Sequence, residues 1–453
     1  MSVDDIAKRF GERMDRQVSA SADRRAEAVE ELNAAFRRAE EAQRRADDRT
    51  RELIATSLGI HDRKVIANAQ VSLGNMAVLQ RVDALLWQAF DLASVCEDSP
   101  LQAYPVVYCE TLEEFYAAIL VNQDISETIR QAVVEHEVAE ARKRAEEGSG
   151  TLGVNLPGQG CYINGWLFGI KSGRPARAAL QNPATFPRIF GTVCHEKLGH
   201  GFISAFTAMG QEKTRLGLWR YELAQRFSLR TADSPQSSLL LRKHSLIHQT
   251  SVLTEEGWAT WVTKALVGLA AANGLLSPEA RDASPAEGYT LGALGALLQT
   301  LQEESPAEAR EHVEAFSAAL QILLLEMDRD HDEMVFSAVR IVHALAPAFD
   351  AAFGKTFGQP TIYVVGYLLL RRLATQLGER NVPYAIMIAG NVTYELETTS
   401  VADLEGLLAS DPRLNVDARL ALLSRLTLQP GEDYRALASK ARELLNLAVP
   451  EGW

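Results

Sequence analysis

His195, Glu196 and His200 stand within Cys194-His195-Glu196-Lys197-Leu198-Gly199-His200-Gly201, where two imidazoles and a carboxylate crowd together in an apolar context. Two neutral imidazoles and one carboxylate are a suitable ligand set for zinc. The compact zinc signature spaces its histidines i, i+4, because 3.6 residues per turn puts both rings on one helix face. Here the second histidine comes at i+5. At about 100° per residue, i and i+5 sit roughly 140° apart, so both reach one ion only if the helix is locally overpacked, as in a π-bulge. Gly199, at the inserted position, is the residue type that tolerates such a distortion. Glu196, beside His195, is placed to take a proton from an attacking water.

A third ligand has to come from another helix. Thr254-Glu255-Glu256-Gly257-Trp258-Ala259 offers two carboxylates. Glu256 is favoured, since Gly257 and Ala259 would let its helix approach the metal helix closely, leaving Glu255 to orient an imidazole through its free N–H. Helical spacing favours Glu255 instead, because it lies seven residues after His248 and shares a face with His244 and His248. Glu255 therefore stays as the alternative ligand. His244 and His248 are expected to be core histidines, with a lesser expectation that they act as ligands of another pair or as transition-state donors; His331 and His343 are likewise read as core.

The elements that must position these groups read as mainly α. Val29, Leu32, Phe36, Ala39, Ala46 and Leu53 fall on heptad-like positions between Ser21 and Leu58, with Gln43 and Thr50 interrupting the seam, which predicts an amphipathic helix packed on its own protein, ahead of an intermolecular coiled coil. Helical patterns follow over Val65 to Val95, Leu112 to Leu120 and Ile125 to Glu147, the last carrying a solvated His136. Thr151 to Leu156 and Cys161 to Ile170, around Pro157-Gly158-Gln159-Gly160, predict a β-hairpin, the one convincing β signal in the chain. Its exposed edge could accept an extended peptide as an added strand, and equally the hairpin could serve only to cover core. The metal helix is predicted from Phe186-Pro187 through Phe206 toward Gly210, and one long helix from Leu239 to Ala272. Helical sequence resumes after Gly288-Tyr289 as far as Pro347, and again toward Leu368 to Leu377. Short helices broken at Pro412 and Pro430-Gly431 close the chain.

At 453 residues and 47% hydrophobic content the chain can build two or three domains or one large helical enzyme around a cleft. A net charge of −13 disfavours nucleic acid and anionic membranes as partners. Cys96, Cys109, Cys161 and Cys194 read as buried thiols. The charged amino terminus and the lack of a long apolar run predict a cytoplasmic protein, in which a homo-oligomer is only weakly indicated.

The motifs resemble those of the gluzincin metallopeptidases, in which a glutamate from a following helix joins a His-Glu helix. The His195 to His200 spacing, an HExxxH motif, is similar to that of the dipeptidyl peptidase III family, whose third ligand lies in a Glu-Glu-x-x-Ala element; Glu255-Glu256-Gly257-Trp258-Ala259 follows at a comparable distance. A better overall match is the bacterial zincin-like family related to carboxypeptidase Taq and thimet-type oligopeptidases. Its expanded His-Glu helix, Glu-Gly-Trp-Ala and Gly-Gln-x-x-x-Tyr-x-x-Gly elements appear here in that order, the last from Gly358 to Gly366. This chain has one residue fewer between its histidines than that family, and no Pro before Gly199-His200. The resemblance covers motifs within roughly Gly150 to Leu377 and implies a zincin-like fold with a small sheet before the metal helix and a helical channel wall formed in part by the amino-terminal helices; with the helical patterns on either side, the chain divides into an amino-terminal helical region over 1–150, a catalytic region over 151–377 and a carboxy-terminal helical region over 378–453. The resemblance also implies one Zn2+ on His195, His200 and Glu256, Glu196 as general base, Tyr363 as oxyanion donor, and a peptide substrate. Two other functions are open to the same residues: a catalytically silent zincin-fold protein that binds a peptide or partner, and a metal-dependent hydrolase of a nonpeptide amide.

Overall fold

A computed structural model of the protein describes residues 75–92, 99–120, 127–146, 150–157, 160–216, 235–277, 358–395 and 399–446. The heptad-like segment, the Ala-rich stretch from 288 to 347, Cys96, His331 and His343 lie outside them. Among the described residues the fold is mostly helical with one small sheet, as the sequence predicts.

Two helices, α1 (Asn75–Gln80) and α2 (Val82–Phe90), precede strand β1 (Val106–Cys109). The helices α3 (Leu112–Leu120) and α4 (Glu127–Glu146) fall where the periodicity puts them, with His136 exposed on α4. Strands β2 (Gly153–Leu156) and β3 (Gly160–Asn164) form the expected hairpin, in register Gly153 to Ile163 and Leu156 to Gly160. The sheet has a third member that the sequence reading missed. Strand β1 runs parallel to β3, pairing Val106 with Cys161 and Cys109 with Asn164, so the order is β1-β3-β2. On its far side β1 is closed by Gln80, whose amide donates to Val106 O and whose Oε1 accepts from Val106 N, at 2.7 and 2.9 Å.

A second correction concerns the end of the hairpin. Residues Gly165–Ser172 are a helix, α5, and not the continuation of a strand to Ile170. Asn164 makes the switch: its side chain accepts from Leu167 N at 3.1 Å and its Nδ2 donates to Thr151 O at 3.0 Å. After α6 (Ala176–Leu180) comes α7 (Phe186–Val193), with Pro187 in its first turn as expected, then a π-helical segment Cys194–His200, then α8 (Gly201–Phe206). Thr207 is extended, so the predicted run toward Gly210 ends at Phe206 and a separate helix, α9, occupies 208–216.

The predicted long helix is two: α10 (Pro235–Gln249) and α11 (Val252–Ala272). Its break at Thr250 and Ser251 is made by side chains that compete with the helical backbone. Thr250 Oγ1 donates to Ile247 O at 2.7 Å, and Ser251 adopts a non-helical N-cap conformation. The new helix is capped from a distance. Asp417, fully buried on a later helix, accepts from Leu253 N (3.1 Å), Thr254 N (2.7 Å) and Thr254 Oγ1 (2.7 Å). Helices α12 (Gly358–Leu377), α13 (Val382–Ala389), α14 (Val401–Ser410), α15 (Val416–Leu423) and α16 (Tyr434–Leu445) complete the described chain.

Among the described residues the main core is a connected cluster of buried apolar side chains reaching from Leu79 to Leu445, and a smaller cluster of Leu112, Val138 and Ala141 stands apart from it. At the centre of the main core α11 lies between the π segment on one side and α12 on the other. Towards α12, a methyl on Gly257 would come 2.5 Å from the Gly366 backbone; towards the π segment, one on Gly199 would come 2.4 Å from Ala259 Cβ. Gly257 and Ala259 are about 200° apart around the helix, so they cannot both face the metal helix as the sequence reading supposed. Ala259 serves that contact and Gly257 serves α12.

Candidate metal centre

The π geometry needed to bring His195 and His200 onto one face is present. The chain enters and leaves the segment with α-helical backbone angles, and Gly201 N–H bonds to Glu196 O, a step of five residues instead of four. The two rings stand 5.0 Å apart, edge to face. Gly199 has a different reason from the one its conformational freedom suggested. Its backbone angle is not among the positive ones; what it supplies is room for Ala259, and so for α11, to touch the segment. Trp258, fully buried, ties the two together by donating from Nε1 to Leu198 O at 3.1 Å.

That contact delivers Glu256. Its Oε2 lies 3.5 Å from His195 Nε2 and 3.6 Å from His200 Nε2. Ligand atoms about 2.1 Å from a tetrahedrally bound ion stand roughly 3.4 Å from one another, so these two spacings suit a shared metal ion. Glu256 Oε2 is buried and lacks a hydrogen-bond partner, an arrangement that costs free energy unless something else occupies the oxygen. The group His195, His200 and Glu256 could hold a metal ion. The charges already respond to one another. Burial pushes the Glu256 carboxyl up, but His200 and His195 outweigh it and hold the group at about 2. Burial pulls His195 down, and Glu256, Glu196 and the Ala259 backbone together raise it above the ordinary imidazole value.

Glu255, the alternative ligand, is engaged elsewhere. Its Oε1 accepts from Lys213 Nζ at 2.5 Å and from Ser251 Oγ at 2.6 Å. Nor does it orient an imidazole directly; Lys213 stands between it and His248, with Nζ 3.2 Å from His248 Nδ1. Lys213 is the residue that sequence reasoning missed, because it falls on α9 with no motif around it. His244 stacks over His248 at 6.4 Å and lies outside the metal-ligand group.

Glu196 packs against the sheet: a methyl on Gly153 would come 3.0 Å from its Cγ. Gly153 thus leaves the space that Glu196 fills, at the start of β2. Asn155, the next residue on that face, lies by Gly201. Tyr363 is brought to the same place by α12, its ring 6.0 Å from that of His195. The close crossing at Gly366, one turn along, is what sets Tyr363 there.

Behind the motif, Lys197 is buried, donating to Gln80 O at 3.1 Å and lying 3.7 Å from Asp83 Oδ1. Cys109, Cys161 and Cys194 are free and buried, as expected. Comparison of the chain with protein-family models, with curated proteins and with solved structures finds no match in any of the three.

Proposed function

We propose that the protein is a zinc-dependent peptidase with a zincin-like catalytic region, acting in the cytoplasm on peptide substrates. The observation that carries this reading is the partnerless Oε2 of Glu256, set at tetrahedral-edge distance from two imidazoles that a π segment turns to one side. Held by His195, His200 and Glu256, one Zn2+ would supply an acidified water and a polarised carbonyl.

The chain's own residues do the rest. Glu196 accepts the proton of the attacking water and returns it to the departing amine nitrogen. Tyr363 donates a hydrogen bond to the oxygen on which negative charge develops. Strand β2 receives the substrate backbone. Asn164 N–H bonds to Leu152 O, and pairing alternates along an antiparallel ladder, so Gly153 and Asn155 direct their N–H and C=O groups away from β3. An extended peptide added along that edge passes Glu196 and the metal ligands.

The test is Glu196→Gln in zinc-reconstituted protein, assayed against a mixed peptide library by mass spectrometry. Zinc content is expected to stay at one per chain while cleavage falls by about 100-fold or more. Cleavage that survives the substitution, or a wild type that binds one zinc and turns over no peptide, contradicts the reading.

A further inference from the structure

Within the π segment stands a lysine that the proposed chemistry does not use. Lys197 and Asp83 are both buried, with Lys197 Nζ 3.7 Å from Asp83 Oδ1. Nζ also donates at 3.1 Å to Gln80 O, on the last residue of α1, one of the carbonyls that a helix end leaves to outside donors. Taking an ammonium and a carboxylate out of water together is costly, and apolar side chains filling the same space are often as stable or more so. Stability is therefore a poor reason for the pair. What a buried pair supplies is direction, because an ammonium turned away from its carboxylate inside a core is heavily penalised.

Direction is what a π bulge needs. The bulge is one extra residue in a helix, and the five-residue step that accommodates it could close at more than one turn. Here it closes from Gly201 N–H to Glu196 O. Placed one turn earlier, ahead of His195, the step would turn His195, Glu196 and Lys197 together by about 100° relative to α7. His195 would then leave Glu256, and the ammonium would leave Asp83 and Gln80. The far end of the segment has its own contacts: Gly199 meets Ala259 of α11, and Trp258 donates to Leu198 O. At the near end, Lys197 is the side chain held from α1 and α2.

We propose that the Lys197–Asp83 pair sets where the helix takes its extra residue, and thereby turns His195 toward His200 and Glu256. Lys197 and Asp83 are positioning residues, outside the metal-ligand group. The placing of the bulge concerns the chain alone; its consequence for zinc rests on the metal reading.

The test replaces the pair by apolar side chains, Lys197→Met/Asp83→Leu, and separates stability from geometry. Urea unfolding is expected to give a midpoint at or above that of the wild type. Zinc affinity, measured by competition with a chromophoric chelator, is expected to fall by about 10-fold or more. Crystal structures of the metal-free wild type and variant read the bulge itself: the wild type keeps the step from Glu196 O to Gly201 N, and the variant loses it or closes it at another turn. A variant that keeps the step overturns the proposal, whatever its stability, and so does a wild type that lacks it. Should the double variant fail to fold, Asp83→Asn is read in the same way. It keeps the shape of the pair and leaves the ammonium without a counter-charge, so the step is expected to give way; a step that persists overturns the proposal. If the step moves while zinc affinity holds, the bulge does not aim His195, and the second half of the proposal falls. A wild type that binds no zinc defeats the metal reading instead, and the two metal-free structures still decide what places the bulge.

Discussion

Glu255 and Glu256 show how far adjacent residues of the same type can diverge. One carboxylate is neutralised by a lysine and a serine hydroxyl; the other ends between two imidazoles with an oxygen unused. Glu256→Gln is therefore expected to weaken zinc binding by about 100-fold or more, measured by competition with a chromophoric chelator. Glu255→Gln should leave zinc affinity within a few-fold and instead cost about 3 kcal/mol in urea unfolding, because it strands the Lys213 charge. Equal losses of zinc affinity in the two variants would remove the distinction. A pH effect belongs at this scale too. Burial, with Glu114 adding to it, pushes the Cys109 thiol up to about 12, and burial raises Tyr394 to about 12 despite its bond with Thr250. The unfolded chain releases these protons at lower pH than the folded chain does. The stability they contribute is fully present below pH 9 and is lost as pH rises from about 9 toward 12, which urea unfolding at stepped pH will show as a falling midpoint. The histidine spacing was legible in the sequence together with the distortion it demands. The role of Lys213 was not, since a lone lysine on a polar helix carries no signal until the fold sets it between His248 and Glu255.

Helix α11 is positioned by two close contacts, and each has a residue that the sequence shows for a different reason. Gly199 looked like a hinge for the π segment, and is a socket for Ala259. Gly199→Ala should drive a methyl into Ala259, costing about 1–3 kcal/mol and loosening Glu256 from the imidazoles. Ala259→Gly in the same chain should restore much of both, read by urea unfolding and zinc titration. A double variant no better than Gly199→Ala would mean that the glycine is needed for its backbone after all. Elsewhere at this scale, apolar periodicity runs unbroken through Thr250 and Ser251, so the boundary between α10 and α11 was invisible. It is fixed by hydroxyls that bond back to the chain and by Asp417, which reaches the helix start from α15. Strand β1 escaped notice because four residues make a weak pattern and its partner β3 is distant in sequence. The hairpin was legible because its two strands and turn are contiguous, although Asn164 ends it sooner than the apolar run suggests.

For the molecule as a whole, composition and periodicity pointed to a mostly helical fold with one small sheet, and the described residues agree. No helix among them is long and apolar enough to cross a membrane. Order along the chain mattered more than any single motif. The His-Glu segment, the Glu-Gly-Trp-Ala element and Tyr363 lie far apart in sequence, and the crossings at Gly199, Gly257 and Gly366 bring their helices together about one point. The sheet stands against that point, with Gly153 beside Glu196, and buried Lys197 links it to α1 and α2 through Gln80 and Asp83. Such convergence is a property of the packed core, which no local pattern specifies. Anomalous diffraction at the zinc absorption edge from crystals of zinc-loaded protein tests it most directly. One peak per chain is expected, about 2.0–2.2 Å from His195 Nε2, His200 Nε2 and Glu256 Oε2. No peak there, or zinc bound through Glu255 or His248 in place of those three atoms, would contradict it.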